Sequence, residues 1–290
     1  MSEIRIGVIG DLHTHWDDVD VVQFNRSDYD LLIFIGDLGG GTADSSLRIA
    51  RSISRLTKEA LVIPGNNDVG DMAELAAELV HRSGLQKLAS LRTGTAHREP
   101  IRLCGYSTHR LTRDAADVTL LVGRPHSLGG AELSYASYMS ANYGIDSMEQ
   151  SAARLCALVD EIETDNLIVF SHNGPTGLGG EPADMWGCDF KPGGGDWGDP
   201  DLEVAIDYAL QRGRRVLAVV AGHMHLTTKQ GPEREWITER QDILYVNTAR
   251  VPRIFAGEDD LYRHHVALTV RADGVSIEEV TVPQTQPSAS

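Results

Sequence analysis

Short apolar runs, amphipathic segments and polar turns alternate along this chain. Three runs rich in Ile, Leu and Val are predicted to be buried strands, at residues 4–9, 31–35 and 60–63. Between the second and the third, apolar residues at helical spacing predict a helix over residues 45–57. A strand, a helix and a strand in this order favour parallel pairing through right-handed crossovers. The functional groups of such sheets gather where the strands end.

The later part of the chain repeats this arrangement. Amphipathic spacing predicts helices over residues 147–162 and 202–211. Apolar runs predict further strands, the last two joined by a turn at residues 272–274, over residues 167–170, 216–221, 243–246, 265–270 and 275–282. The predicted strands over residues 167–170 and 216–221 end just before His172 and His223.

Two long segments lack a regular pattern, at residues 123–143 and 174–200. Long irregular loops in compact domains are usually functional or disordered. Because no repeat, linker or change of composition marks a boundary, we predict a single domain over residues 1–282. Residues 283–290 are polar and are predicted to form a disordered tail.

Composition and charge narrow the possible functions. The 290 residues are 41% hydrophobic, enough for a substantial core, and no apolar stretch is long enough to cross a membrane. No secretory signal pattern is visible at the N-terminus, so a cytoplasmic location is expected. The formal net charge of −16 disfavours long nucleic acids, whose binding depends on Lys and Arg neutralising phosphates. The three cysteines lie far apart and outside any CxxC motif, which argues against disulfides and a thiolate zinc site.

Side chains that commonly bind metals follow five of the predicted strands. They are Asp11 and His13, Asp37, Asn66, His172, and His223 with His225. Each fragment alone is common, but together they would project from one edge of a sheet system. Imidazole nitrogen combined with carboxylate and amide oxygen suits Mn, Fe, Zn or Ni, whereas all-oxygen sites suit Mg or Ca. The sequence therefore predicts a site for divalent metal ions at this edge.

These fragments, in this order and at comparable spacings, resemble the pattern of the calcineurin-like metallophosphoesterases: DxH, GD, GN[HN][DE], an isolated His and GHxH. The resemblance extends from Gly10 to His225. It implies an α/β (α+β) fold, a four-layer αββα sandwich in which two mixed β-sheets are flanked by helices. It also implies two divalent metal ions per chain, one held by Asp11, His13 and His225 and the other by Asn66, His172 and His223, with Asp37 bridging both.

Further stretches resemble a little-characterised branch of the same family found in cyanobacteria and plant plastids. They are residues 172–179, 194–202, 247–249 and 251–253, together with Trp16 and Asp17. No known substrate comes with this narrower resemblance.

The reaction implied by the family is hydrolysis of a small-molecule phosphate monoester or diester by attack of a metal-bridging hydroxide. Two ions about 3.5–4 Å apart lower the pKa of a bridging water and offset the charge that develops on the phosphoryl oxygens. Asp37 suits the bridge because a carboxylate has two oxygens to share. Asp68 is expected to hold a histidine or a backbone amide, unless it is a plain turn residue. The expected partner is a small phosphorylated molecule, with neither a membrane nor a long nucleic acid.

The chain departs from the family pattern at Asn67, where many members have a histidine that is thought to protonate the leaving group or to stabilise the transition state. Asn cannot act as a general acid, and such an acid typically contributes roughly 10²–10⁴-fold to the rate. His15 and His126 are therefore candidates for a substitute proton donor. The alternative for each is a solvent-exposed loop histidine.

Three other side chains are candidates for substrate binding. Arg124 and Arg250 lie in predicted loops and could bind phosphate oxygens in bidentate fashion. Trp197 could stack on an aromatic leaving group, or could instead pack its glycine-rich loop. We also expect residues 193–200 to border the active-site mouth, because their glycines permit close approach of the backbone to a ligand.

The sequence leaves two alternative functions open. A scaffold that keeps the fold without turnover would be expected to lose metal ligands, whereas this chain keeps all seven, and only Asn67 favours that alternative. A protein serine/threonine phosphatase needs arginines flanking the metals, and the sequence offers no clear pair. The sequence does not define monoester or diester preference, the native metal or the oligomeric state.

Overall fold

Sheet A is one of two mixed sheets in the structure, a computed structural model that describes residues 3–68, 101–229 and 231–284. Its strands are β1 (Ile4–Ile9), β2 (Leu31–Phe34), β3 (Ala60–Val62), β4 (Ile101–Leu103), β11 (Ile254–Ala256), β12 (Leu261–Arg271) and β13 (Gly274–Pro283). Strands β1 to β4 run parallel in sequence order. Strand β12 lies antiparallel beside β1 and pairs with β11 and β13 as well.

Sheet B has the strand order β5-β6-β7-β8-β10-β9. These strands are β5 (Ser107–Arg113), β6 (Ala116–Val122), β7 (Asn166–Phe170), β8 (Arg215–Ala221), β9 (Ile237–Arg240) and β10 (Ile243–Asn247). The four inner strands are parallel, and the edge strands β5 and β9 are antiparallel to their neighbours. The inner strands are almost continuously buried, as expected for a parallel sheet covered on both faces.

Helices cover the outer face of each sheet, and they are α1 (Asp18–Arg26), α2 (Ala43–Ile53), α3 (Ala136–Tyr143), α4 (Met148–Asp160) and α5 (Pro200–Gln211). Phe24 of α1 and Ile53 of α2 belong to the apolar cluster on sheet A. Leu155 of α4 and Ala205 of α5 belong to the cluster on sheet B. A third cluster fills the space between the sheets. The layers are thus helix, sheet, sheet and helix, which confirms the predicted fold class of two mixed sheets flanked by helices.

Local sequence explains where the helices begin and end. Asp17 caps α1 and forms a reciprocal capping box with Asp20. Ser147 caps α4 through its hydroxyl, and Pro200 occupies the first turn of α5, where its missing N–H costs no helical hydrogen bond. Gly144 ends α3 in the left-handed conformation that favours glycine.

The structure extends the predicted elements and corrects two of them. Residues 123–143 were predicted to be irregular, but α3 occupies the end of this segment. The predicted tail begins one residue too early, because Pro283 pairs with Tyr262 in the β12–β13 ladder. Residues 285–290 of that tail lie outside the described residues.

The parallel strands bring the candidate metal ligands to one edge of the molecule. Strands β1, β2 and β3 end just before Asp11, Asp37 and Asn66, whereas β7 and β8 of the other sheet end just before His172 and His223. Both sheets therefore contribute to the same site. Among the described residues, none of the helices is long and apolar enough to cross a lipid bilayer.

Candidate metal centre

The first group of candidate ligands contains Asp11, His13 and His225. One ligand atom from each of them lies within 4.8 Å of the ligand atoms of the other two. The Nε2 atoms of His13 and His225 are 3.0 Å apart, and Nε2 of His225 is 3.8 Å from Oδ2 of Asp11. Two imidazole nitrogens and a carboxylate oxygen converging in this way could hold one divalent cation.

The second group contains Asp37, His172 and His223, which meet the same distance criterion. Asn66 joins them, because its Oδ1 lies 3.0 Å from Nε2 of His172. Asp37 contacts both groups: its Oδ1 is 3.6 Å from Nε2 of His172, and its Oδ2 is 3.4 Å from Nε2 of His13. The structure thus brings all seven predicted ligands together, with Asp37 between the two groups.

Hydrogen bonds to backbone carbonyls fix which ring nitrogen of two histidines is available. Nδ1 of His172 donates to the carbonyl of Ile35 at 2.7 Å, and Nε2 of His223 donates to the carbonyl of Leu128 at 3.1 Å. Because a carbonyl only accepts, the other nitrogen of each neutral ring carries a free lone pair. Carbonyl partners of this kind orient metal-binding histidines in proteins.

Burial makes the two carboxylates of the site costly as a pair of anions. Burial raises the pKa of Asp11, and the nearby Asp37 carboxylate adds to this rise. Burial also acts to raise the pKa of Asp37, but His172, His13 and the amide of Asn67 outweigh it, so the pKa of Asp37 is lowered. Two anions in one buried site favour a bound cation, which would compensate their charge.

The histidines of the second group have opposite pKa shifts. Burial alone would lower the pKa of His172, but the carboxylates of Asp37 and Asp11 raise it. Burial, reinforced by the neighbouring His172, lowers the pKa of His223 to about 3. His223 is therefore neutral near pH 7, the form in which imidazole binds metals.

The backbone around the site is strained and closely packed. His13, Asp37 and His223 have φ values of 41°, 48° and 69°, in a region that non-glycine residues rarely adopt. A side chain at Gly65 would collide with the Asp37 carboxylate, and one at Gly222 would collide with that of Asp11. Such strain persists only where the surroundings enforce it and is typical of functional sites.

A comparison with known families bears directly on this arrangement. The profile described as calcineurin-like phosphoesterase matches residues 4–226, which include all seven candidate ligands. The chain belongs to this family. Among curated proteins, none matches the chain.

The solved structures that match this chain have low sequence identity to it. One of them is 11% identical, with 96% of this chain and 99% of that chain covered and a TM-score of 0.58. Vps29 from Chaetomium thermophilum is 13% identical, with 97% and 99% covered and a TM-score of 0.29. A metallophosphoesterase from Sphaerobacter thermophilus is 12% identical, with 96% and 88% covered and a TM-score of 0.33. The first of these structures shares the fold of this chain.

Asn67 and Asp68 hold the second group of ligands in place within this calcineurin-like phosphoesterase. The backbone and side-chain amides of Asn67 donate to Oδ1 and Oδ2 of Asp37, at 2.9 and 2.7 Å. Asp68 accepts from the amides of Gly65 and Leu38, at 2.9 and 3.1 Å, and from the hydroxyl of Ser46 at 3.0 Å. The sequence suggested that Asp68 binds either a histidine or a backbone amide, and in the structure it binds backbone amides.

Neither histidine proposed as a substitute proton donor is placed for that role. His126 is fully buried, its Nδ1 donates to the carbonyl of Gly65 at 3.0 Å, and burial lowers its pKa to about 4. It is neutral near pH 7, and its one ring proton is already bound. Nδ1 of His15 donates to the carbonyl of Leu12 at 3.2 Å. His15 does not line the cavity at the metal ligands within the described ranges.

The two arginines proposed for phosphate binding also lie elsewhere. Arg124 is buried and contacts two carboxylates at 2.9 Å, from Nη2 to Oδ1 of Asp199 and from Nε to Oδ2 of Asp201. These carboxylates raise the pKa of Arg124 despite the opposing effect of burial. Its guanidinium is therefore not free to bind a substrate. Arg250 lies over the ring of Phe255, 4.9 Å from its centroid.

Trp197 reaches the site indirectly. Its Nε1 donates to the carbonyl of Leu128 at 2.7 Å, the same carbonyl that accepts from His223. The ring packs edge-on against Phe190, with 5.1 Å between centroids. Phe190, and not Trp197, lines the cavity at the metal ligands. Trp197 therefore contacts a residue of the cavity wall without lining the cavity itself, and the expectation that residues 193–200 border the active-site mouth stays a prediction.

Besides Phe190, the sequence analysis missed Tyr135 and Lys229 as contributors to the site. Tyr135 donates its hydroxyl to the backbone carbonyl of Asn66 at 3.1 Å from a left-handed backbone with φ 52°. Lys229 lines the cavity beside Phe190. No sequence signal marks either residue, since both belong to irregular segments that only the tertiary fold brings to the ligands.

Proposed function

We propose that this calcineurin-like phosphoesterase hydrolyses a small-molecule phosphate monoester or diester with two divalent metal ions. The observation that supports this most is Asp37, whose two oxygens face different groups of histidines. One ion would be held by Asp11, His13 and His225, the other by Asn66, His172 and His223. Their mixed nitrogen and oxygen donors suit Mn, Fe, Zn or Ni.

Two such ions, when bound, activate water and compensate the charge that develops on phosphoryl oxygens. The chain contributes the geometry. Asn67 holds both oxygens of Asp37, and the carbonyls of Ile35 and Leu128 orient His172 and His223. Because these bonds exist before substrate binds, no reorganisation is needed during the reaction.

The size of the cavity favours a small substrate. The cavity over the ligands has a volume of about 240 Å³, and no arginine is among the described residues that line it. A protein phosphatase would be expected to present arginines to the phosphorylated side chain. We therefore favour a small molecule over a phosphoprotein.

A scaffold without turnover is the second candidate, and Asn67 in place of the family's usual histidine favours it. Against it stands the retention of all seven ligand side chains in two groups. The similarity to the branch from cyanobacteria and plant plastids and a cytoplasmic location are further parts of the proposal that rest on the sequence alone.

The test is metal analysis of the purified protein, combined with turnover of p-nitrophenyl phosphate and its bis ester in Mn, Fe, Zn and Mg. Asp37→Asn should abolish activity and remove at least one metal, because both ions share the charge of this ligand. Asp165→Asn, a change at an exposed carboxylate, is the matched control. Normal turnover with two metals per chain in Asp37→Asn would refute the bridging role. Loaded metals without any turnover in the parent protein would favour the scaffold.

His223→Ala and His225→Ala separate the two metal positions. The two residues belong to different groups, so each variant should lose a different ion. Anomalous scattering from crystals of the two variants identifies the remaining ion. Loss of the same ion from both would contradict the assignment.

A further inference from the structure

Two adjoining cavities meet at one patch beside the metal ligands. The cavity over the ligands, of about 240 Å³, and a second of about 610 Å³ share Asp189, Phe190 and Lys229 in their linings. A molecule whose phosphoryl group lies at the metal ligands can therefore extend across this patch. We refer to Phe190, Lys229 and the neighbouring Lys191 as the Phe190 patch.

The Phe190 patch combines an exposed ring with positive charge. Phe190 is 44% exposed, and the Nζ of Lys229 lies 5.5 Å from its ring centroid. The Nζ of Lys191 lies 5.8 Å from the ring of Trp197, which packs against Phe190. The chain has only four lysines and a net charge of −16, so two lysines at one mouth are a local exception. Within the described ranges, neither ammonium forms an ion pair.

The acidic residues near the Phe190 patch do not neutralise its lysines on the side that faces the metal ligands. Both oxygens of Asp189 are engaged, Oδ2 by the backbone amide of Lys229 at 2.8 Å and Oδ1 by Nη2 of the buried Arg234 at 3.3 Å. Glu181 lines the second cavity but not the cavity over the metal ligands. The free positive charge closest to the shared patch is therefore that of Lys229.

Rigid contacts hold the ring of the patch in position. Nε1 of Trp197 and Nε2 of His223 both donate to the carbonyl of Leu128, so the aromatic pair is tied to a metal ligand. Planar rings bind the faces of nucleobases, and an ammonium binds phosphate as a point charge.

From this geometry, and resting on the proposed phosphoesterase function, we propose that the substrate is a nucleotide-like phosphate ester. Its planar ring would lie on Phe190, and a second anionic group, such as another phosphate, would contact Lys229. The metal ligands receive the ester that is hydrolysed, whereas the patch selects the leaving group.

The experiment compares adenosine 5′-monophosphate with adenosine 3′,5′-bisphosphate in the Mn-loaded protein. The ratio of their kcat/KM values measures the contribution of the second phosphate. The intrinsic reactivity of the two substrates is the same for every variant, so it cancels when the ratios are compared. This ratio should fall about fivefold in Lys229→Met, as expected for one exposed charge pair, and should fall further in Lys229→Glu. It should be retained in Lys229→Arg. An unchanged ratio in all three variants would overturn the role of Lys229.

A second comparison tests the ring. The preference for adenosine 5′-monophosphate over ribose 5-phosphate should fall at least about fivefold in Phe190→Leu, since stacking on a base contributes about 1–3 kcal/mol. Phe190→Tyr keeps the ring and should keep the preference. Equal preferences in the three proteins would overturn the stacking contact.

Calorimetric binding of the same nucleotides and of ribose 5-phosphate to each Mn-loaded variant distinguishes failure of this proposal from failure of the proposed function. Absence of p-nitrophenyl phosphate hydrolysis with every metal would refute the proposed phosphoesterase function. The Phe190 patch would then still be supported if the Lys229 and Phe190 variants changed the ratios of the dissociation constants by the same factors. Turnover with unchanged ratios would refute only the Phe190 patch.

Discussion

Asn67 occupies a position at which many members of the family have a histidine, and in this structure it binds Asp37. Its two amides donate to both oxygens of Asp37. A side-chain amide can hold a carboxylate in this way at any pH, but it cannot release a proton to a leaving group. The site therefore gains rigidity around Asp37 and lacks a proton donor at this position.

The dependence of turnover on the leaving group tests this reading of Asn67. We predict measurable hydrolysis of nitrophenyl esters and weak hydrolysis of alkyl phosphates, which leave as high-pKa alkoxides. Asn67→His should raise alkyl phosphate hydrolysis, but modestly, because about 1 Å of misplacement can cost on the order of 10²-fold. The measurement is kcat/KM against leaving-group pKa, with His15→Ala and His126→Ala as controls. A flat dependence in the parent enzyme would show that another donor already acts.

Tyr135 offers a second test at the scale of single residues. Its hydroxyl donates to the backbone carbonyl of Asn66 and so helps to position that ligand. Tyr135→Phe keeps the ring and should weaken metal affinity by up to about tenfold, the lower end of the range for groups that support ligands. Calorimetric titration with Mn measures the change. Tyr138→Phe is the matched control, because this α3 hydroxyl has no hydrogen-bond partner within the described residues.

At the scale of elements, most of the predicted strands are buried parallel strands, but the sequence analysis also missed one of these, the inner strand β6. The predicted strand over residues 4–9 matches β1, and the runs before Asp37 and His172 match β2 and β7 within a residue. Strand β5 was missed because its residues, Ser107–Arg113, are polar and half-exposed at a sheet edge. Helix α3 was missed because Ala136–Tyr143 buries only Met139 and has no clear apolar stripe.

The ligands were predictable for the same reason, and the substrate contacts were not. A residue that closely follows a buried parallel strand has its place set by that strand, as Asp11 and His172 show. Arg124 and Trp197 lie in long loops, where neighbours distant in sequence decide whether a side chain faces the site or the interior. The type of residue alone could not distinguish a phosphate-binding arginine from a buried one.

Arg124 links four segments around the site. Its carboxylate partners begin α5, and these also accept from Ser127, from Ser151 of α4 and from Asn173 beside His172. Removing one member of a buried charge network leaves the others unpaired, which typically costs about 3–5 kcal/mol.

We therefore predict that Arg124→Met lowers the free energy of unfolding by about 3–5 kcal/mol, measured by urea denaturation. Arg250→Met, at a half-exposed arginine, should change it far less. Adding Asp199→Asn to Arg124→Met should recover part of the loss, because it removes one unpaired charge. A raised KM with unchanged stability would instead restore Arg124 as a substrate ligand.

At the scale of the whole molecule, the layers bury ionisable groups away from the metal centre as well as at it. His265 lies on β12 under α1, where its Nε2 is 2.7 Å from the hydroxyl of Tyr29 and its ring packs edge-on against Phe24. Burial, together with the positive charge of Arg253, lowers the pKa of His265 to about 3. This histidine is neutral in the folded protein and titrates near its ordinary pKa when unfolded.

The consequence is a loss of stability in acid that involves no metal. Between the unfolded pKa of about 6.5 and the folded pKa of about 3, the unfolded chain binds one more proton at this residue. The contribution of His265 to the free energy of unfolding is therefore fully present above about pH 6.5. It falls with decreasing pH, by about 1.4 kcal/mol per pH unit once the pH is well below 6.5. His265→Gln removes this proton uptake, so its free energy of unfolding should be lower at pH 7 but should decline less steeply towards pH 5. Urea unfolding of both proteins in EDTA at pH 7, 6 and 5 measures the two slopes. Parallel slopes would show that His265 is protonated equally in the folded and unfolded states.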